Sequence, residues 1–262
     1  MTVRILGKPD TLDEEGRRFD RAPLSEPLFL NSVPKSGTHL IRNILRMFVA
    51  DAQHWRREYI QHPILSRSLD AFSQARPFIS WGHLLFSDDA AIALKNTRHI
   101  VLVRDPYDWV LARARFYLSD EFQGSLNNIK GGAVDAREVL NMMILGVHQK
   151  APSMLDMYTF NAVAWMGARA TLVRYEDLLE AVKDVGSRRA EAFFVRLMAD
   201  CGLGELPDDW RERVATGSDP KQSRTARENL NVDVVLPDTL PPVQRAMVDF
   251  AAPGLRAILG YE

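Results

Sequence analysis

The sequence predicts an α/β protein built as a single domain, with a parallel β-sheet flanked by helices, and three observations predict it. His99-Ile100-Val101-Leu102-Val103 is a continuous apolar run, the pattern of a strand buried on both faces of a parallel sheet. Leu28 to Leu30 with Val33 forms a second short run, and each run passes through a turn straight into a helical pattern. A chain of 262 residues with 46% hydrophobic and 26% charged residues suffices for one large core and excludes wholesale disorder.

Composition narrows the function classes. A net charge of −1 with no strong basic block excludes nucleic acid as the main partner, so an anionic ligand would need a local cluster of cations. Cys201 is the single cysteine, which rules out an intramolecular disulfide and a cysteine-based zinc site. The N-terminus has no signal-type apolar core and no apolar run approaches the length of a membrane span. The expectation is a cytoplasmic protein without membrane contact. Residues 1–24, polar and charged around Asp13-Glu14-Glu15-Gly16-Arg17-Arg18, read as an extension over the surface, and 25–262 as the α/β domain.

The first strand ends at Pro34, which has no N–H for a ladder, and the sequence continues Lys35-Ser36-Gly37-Thr38-His39-Leu40. Leu40, Ile41, Ile44, Leu45, Phe48 and Val49 recur at helical spacing, with Arg42, Asn43 and Arg46 opposite. The turn at this helix start combines free backbone N–H groups, two hydroxyls and an ammonium, a donor set suited to phosphate or sulfate. Gly37 lets the backbone approach such an anion. Lys35 precedes the glycine, so the order is not that of a Walker A loop.

Gln53 to Arg76 reads as short helix and loop, with His54 and His62 as surface or satisfied residues. Pro77 to His83 reads as a second buried strand that delivers His83 to the same sheet edge as Lys35, the edge where ligands bind in open parallel sheets. The third strand ends in Arg104, then Asp105 caps a helix opened by Pro106. Glu121 to Asp135, rich in Gly and Asn, is a loop. Arg137 to Val147 and Ser153 to Met166 are helical, and their methionines are either core filler or an adaptable acceptor pocket. Ala170 to Arg174 is a further strand running into Tyr175-Glu176-Asp177-Leu178, followed by a helix near Ala190 to Met198, a connector to Asp209, a basic stretch from Ser218 to Arg227, and a last helix over Pro242 to Leu259 bent near Pro253.

Pro-Lys-Ser-Gly-Thr resembles the 5′-phosphosulfate loop of the cytosolic-type and bacterial sulfotransferases, which use 3′-phosphoadenosine 5′-phosphosulfate (PAPS). Arg104-Asp105-Pro106-Tyr107-Asp108 resembles their second signature, and Tyr175-Glu176-Asp177-Leu178 a third marker that is structural in the family. Gly82-His83-Leu84-Leu85 stands in the register of their catalytic histidine, 21 residues ahead of Arg104, without the flanking Thr and Pro. The resemblance implies a P-loop-like sulfotransferase fold and transfer of a sulfuryl group from PAPS to a hydroxyl or amine of a small-molecule acceptor, without a metal. It implies that His83 takes the acceptor's proton and that Lys35 stabilises the bridging oxygen, with Ser36, Gly37, Thr38 and His39 around the 5′-phosphate and Arg104 on the 3′-phosphate. Three departures stand out. His39-Leu40 replaces the usual Thr-Trp, leaving adenine stacking to Trp81 or a tyrosine. Ala112 replaces a phosphate-binding serine, with Arg115 as a substitute on the same helix side, and the closing basic segment lacks Lys-Gly, with Arg224 and Arg227 offering equivalent charge. The rival readings are a P-loop-type small-molecule kinase and a non-catalytic nucleotide-binding protein.

Overall fold

The computed structural model describes residues 4–5 as backbone and 10–223 and 230–261 in full. Short elements open the chain: β1 (Arg4–Ile5) and α1 (Leu12–Glu15). Then follow β2 (Leu28–Ser32), α2 (Thr38–Arg46), β3 (Ile60–Gln61), β4 (Ile79–His83), α3 (Asp88–Ala93), β5 (Arg98–Val103), α4 (Pro106–Leu118) and β6 (Phe122–Gln123). The second half carries α5 (Ala136–Leu145), α6 (Met154–Asn161), β7 (Ala170–Arg174), α7 (Tyr175–Lys183), α8 (Arg188–Cys201), α9 (Trp210–Ser218), α10 (Pro242–Ala251) and α11 (Leu255–Ile258).

Five strands form one parallel sheet in the order β3-β4-β2-β5-β7. The chain enters at the central β2, builds β3 and β4 on one side, then crosses to add β5 and β7 on the other. The connection reverses direction around β2, so the loops after β2, β4 and β5 diverge at their C-terminal ends and leave a crevice there. Register brings Asn31 beside Gly82 and Ser32 beside Leu102, so all three strands finish at nearly the same level. A Cβ on Gly82 would lie 1.8 Å from the Ile60 carbonyl oxygen, so only glycine lets β3 pair this closely with β4.

Side chains alternate between two cores. Phe29, Val101 and Val103 face the layer of α4, α5, α6 and α10, while Leu28, Leu30, Ile100 and Leu102 face α2, α7, α8 and α9. Burial on both faces is why these strands read as unbroken apolar runs. The expected elements form where the sequence placed them, with local differences. Leu203 to Asp209 is a connector, but α9 beyond it was not foreseen, because its apolar residues are only Trp210, Val214 and Ala215. The last helix is broken into α10 and α11 by Ala252 to Gly254, with Gly254 at φ 74°. The segment 10–24 is anchored to the rest of the chain: Leu12, Phe19 and Leu24 are buried, and buried Arg46 donates to Asp10 Oδ2 (3.0 Å) and Asp13 Oδ1 (2.6 Å). The loop 121–135 is likewise tied down through buried Phe122, Leu126 and Ile129.

Candidate active site

The loop after β2 is strained and braced. Lys35 holds φ 72° and Gly37 φ 95°; for a residue with a Cβ the left-handed region costs about 1–2 kcal/mol, so the surroundings must hold Lys35 there. Trp109 of α4 does so in part by donating its indole N–H to the Pro34 carbonyl at 2.6 Å. Gly37 caps α2 with no side-chain hydrogen bond, which leaves the helix's positive end to the crevice. Ser36 is fully buried, and its Oγ has no partner among the described residues. A buried hydroxyl without a partner costs about 1–3 kcal/mol, and an anion in the loop would satisfy it.

Lys35 follows β2 and Arg104 follows β5, its parallel neighbour, so both cations lie at the C-terminal end of the sheet. The Lys35 ammonium sits over the Phe116 ring of α4, 3.0 Å from its centroid, with no carboxylate paired to it among the described residues. Burial in this apolar seat lowers its pKa to about 7. The Arg104 guanidinium lies over the Tyr175 ring at 4.6 Å, and its Nε is buried without a hydrogen-bond partner among the described residues. Tyr175 therefore supports both signatures, since a Cβ on Gly37 would fall 2.4 Å from its Cδ2. Arg104 is not consumed by its own acidic neighbours: Asp105 caps α4 through Tyr107 N–H and pairs with Arg256 at 2.9 Å. The backbone there is clamped as well. Tyr158 donates to the Arg104 carbonyl (2.7 Å), the Asp105 N–H donates to Glu176 (3.0 Å), and Tyr261 donates to the other Glu176 oxygen (2.6 Å).

His83 ends β4 with Nδ1 3.1 Å from the Ser32 carbonyl oxygen. A carbonyl only accepts, so Nδ1 carries the hydrogen and Nε2 keeps the lone pair a general base needs. Burial and the Lys35 charge lower the His83 pKa to about 4. Asn31 fixes this strand end: its Nδ2 donates to the Leu84 carbonyl (3.0 Å), and its Oδ1 accepts from the Leu84 N–H (2.9 Å) and the Ser32 N–H (3.0 Å).

The structure thus gathers Lys35, Ser36, Gly37, Thr38, His83 and Arg104 at one crevice. His39, in the first turn of α2, lies against Trp81 at 5.4 Å, and Arg42 covers the Trp81 ring at 4.6 Å. Ala112 and Arg115 both lie on the more open side of α4, beside Phe116. Arg224 and Arg227 fall outside the described residues. Sequence reasoning gave no role to Asn31, Ser32, Trp109 or Phe116. The signal for the first two was present, as polar residues closing a strand otherwise read as buried. A hollow of about 430 Å³ lined by Glu26, Gln74, Asn96, Thr97, Arg98 and Arg169 lies at the opposite, N-terminal end of the strands and shares no residue with the crevice. Asp13, Asp51 and His54 bring ligand atoms within 4.8 Å of one another, but Arg46 and Arg56 already engage the two carboxylates, so the cluster reads as an ion-pair network fastening residues 10–13 to the domain.

No protein-family model and no curated protein sequence matches this chain. Among solved structures it is similar to mouse sulfotransferase SULT7A1 complexed with PAP, at a TM-score of 0.57 and 15% identity over 95% of this chain and 93% of that one. At that identity the likeness establishes the fold, which is the sulfotransferase fold.

Proposed function

We propose that this protein is a PAPS-dependent sulfotransferase that moves a sulfuryl group to a hydroxyl or amine of a small-molecule acceptor. The observation that carries the reading is the convergence at one crevice of two buried polar atoms without partners among the described residues, Ser36 Oγ and Arg104 Nε, with a histidine whose Nε2 is left as the acceptor. The first two fit a ligand with two separated anionic groups. The third fits removal of a proton beside one of them. The mouse structure of the same fold is a complex with PAP, which supports the same reading.

In this reading the cradle of Ser36 to Thr38 holds the 5′-phosphosulfate and Arg104 the 3′-phosphate. The acceptor oxygen or nitrogen attacks sulfur in line, its proton passes to His83 Nε2, and the sulfur–oxygen bond to the 5′-phosphate breaks. Lys35 leaves its Phe116 seat for the bridging oxygen, where negative charge grows, and the anion beside it restores the ammonium form. Incubation with labelled PAPS or labelled ATP and a panel of alcohols, amines and phenols tests the assignment. Sulfate label in product from PAPS supports it; phosphate transfer from ATP, or tight PAPS binding without transfer to any acceptor, would replace it with one of the rival readings.

A further inference from the structure

The hydroxyl of Ser32 is fully buried and lies between the two halves of the crevice. Its Oγ is 2.5 Å from Thr38 Oγ1 and 3.1 Å from His83 Nδ1. The direction of each hydrogen follows from the partners. His83 Nδ1 carries a hydrogen because it also faces the Ser32 carbonyl, so Ser32 Oγ accepts on that side. The Ser32 proton then turns to Thr38 Oγ1, the other partner of that oxygen among the described residues. Thr38 Oγ1 accepts, and its own proton is left for the cradle it opens.

The chain of donors runs one way, from the imidazole through Ser32 and Thr38 to the loop where Ser36 Oγ has no partner among the described residues. We propose that Ser32 is a positioning residue that couples the charge on His83 to an anion held at Thr38. When Nε2 gains a proton the Nδ1–H becomes a stronger donor, each hydroxyl in turn is polarised, and the Thr38 hydrogen bond to the anion strengthens. By linkage, a bound anion makes the imidazolium easier to form. During transfer the acceptor's proton reaches His83 as the sulfur–oxygen bond breaks and charge settles on the leaving phosphate, so the chain strengthens a hydrogen bond to that phosphate as it forms. A base with a pKa near 4 in the free protein would be weak for this task, and the coupling raises it when the anion is present. The inference rests on the proposed function only for the identity of the anion.

Among the described residues two other titratable groups face His83: Lys35, whose charge lowers its pKa, and Tyr59, whose ring centroid is 5.9 Å away. An anion that neutralises Lys35 raises the His83 pKa in any variant, so the test is the difference between variants. The His83 ring would be titrated by nitrogen-15 NMR in the whole chain, free, with saturating PAP, and in parallel with inorganic sulfate. In the parent, PAP should raise the proton affinity of His83 by about tenfold or more, a shift of about one pKa unit. Ser32→Ala should lose at least half of that rise, and Ser32→Thr should keep it. Thr38→Val, which keeps the shape and removes the terminal hydroxyl, should match Ser32→Ala and stands in for it if that variant does not fold. Equal rises in the parent, Ser32→Ala and Thr38→Val overturn the relay while leaving the PAPS reading intact. A relay seen with sulfate when PAP does not bind supports the coupling and sinks the PAPS reading, and a parent His83 that responds to neither anion overturns the relay outright.

Discussion

Replacing Gly37 with alanine should damage the cradle and the seat of Arg104 together. Alanine at φ 95° costs about 1–2 kcal/mol from the left-handed backbone. Its Cβ would also lie 2.4 Å from Tyr175 Cδ2 and 2.7 Å from Cε2, closer than packed atoms approach. Tyr175 cannot withdraw freely because its ring carries the Arg104 guanidinium at 4.6 Å, so relief must come from shifting the ring, and overpacking of this kind costs about 1–3 kcal/mol. Alanine also stiffens the unfolded chain, which offsets about 0.4–1 kcal/mol. The net loss is about 1–4.5 kcal/mol, a fall in Tm on the order of 10 °C for a chain of this size. PAP affinity should fall as well, since Arg104 moves with the ring. The assay is a double-mutant cycle with Tyr175→Ala, read by thermal and urea unfolding. Removing the ring relieves the clash but not the backbone cost, so the double variant should be more stable than the sum of the single losses by about 1–3 kcal/mol. Strict additivity, or a loss below about 0.5 kcal/mol for Gly37→Ala alone, would refute the close contact and with it the claim that Tyr175 supports both signatures.

Lys35→Ala should lower turnover by about two or more orders of magnitude while PAPS binding weakens far less, and unchanged turnover would remove Lys35 from the mechanism. Because the free ammonium has a pKa of about 7, PAP binding to the parent at pH 8 should take up close to one proton, measured by calorimetry in buffers of different ionisation enthalpy and absent in Lys35→Met. His83→Ala should depress the rate by about 10² to 10⁴ with the fold intact. In the parent the acidic limb of kcat should lie above the free-protein pKa near 4, and a mutant that keeps this limb would point to another base. Arg104→Ala should weaken PAPS by roughly 1.5–3 kcal/mol but leave an analogue lacking the 3′-phosphate almost unaffected, and equal losses for both would make Arg104 structural. Arg46→Ala breaks a largely buried pair with two carboxylates that can partly rehydrate, so unfolding should become easier by about 1–3 kcal/mol at pH 7. Burial raises the Asp13 pKa, but hydrogen bonds from Arg46 and Arg56 outweigh it and hold it at about 2; the stability this confers is present above pH 3.8 and lost as pH falls toward 2. That acid loss should shrink in Arg46→Ala, and an identical pH profile would show that the pair contributes nothing.

The sequence by itself determined four of the five sheet strands, the strand-to-helix turn at Lys35 and the strand-end placement of His83 and Arg104; it missed β3, two residues inside the stretch 53–76 that reads as short helix and loop. Each feature that it placed is a local signal. Strands buried on both faces leave unbroken apolar runs, and a strand-to-helix turn needs Gly and Pro at fixed offsets, so 28–46 and 99–118 were legible without any knowledge of the fold. The α9 helix was not, because its register is set by packing against α2 rather than by its own weakly patterned side chains. The anchoring of 10–24 was not legible for the same reason: its anchors, Leu12 and the Asp10 and Asp13 pairs with Arg46, find partners far along the chain. The tertiary structure alone decided the electrostatics of the crevice. The Phe116 seat that lowers the Lys35 pKa, the Tyr175 ring shared by Gly37 and Arg104, and the Ser32 hydroxyl between Thr38 and His83 all join residues from separate strand-loop units. Desolvation and hydrogen-bond direction depend on what packs alongside, and that is settled only when the strands take the order β3-β4-β2-β5-β7 and bring their C-terminal ends together.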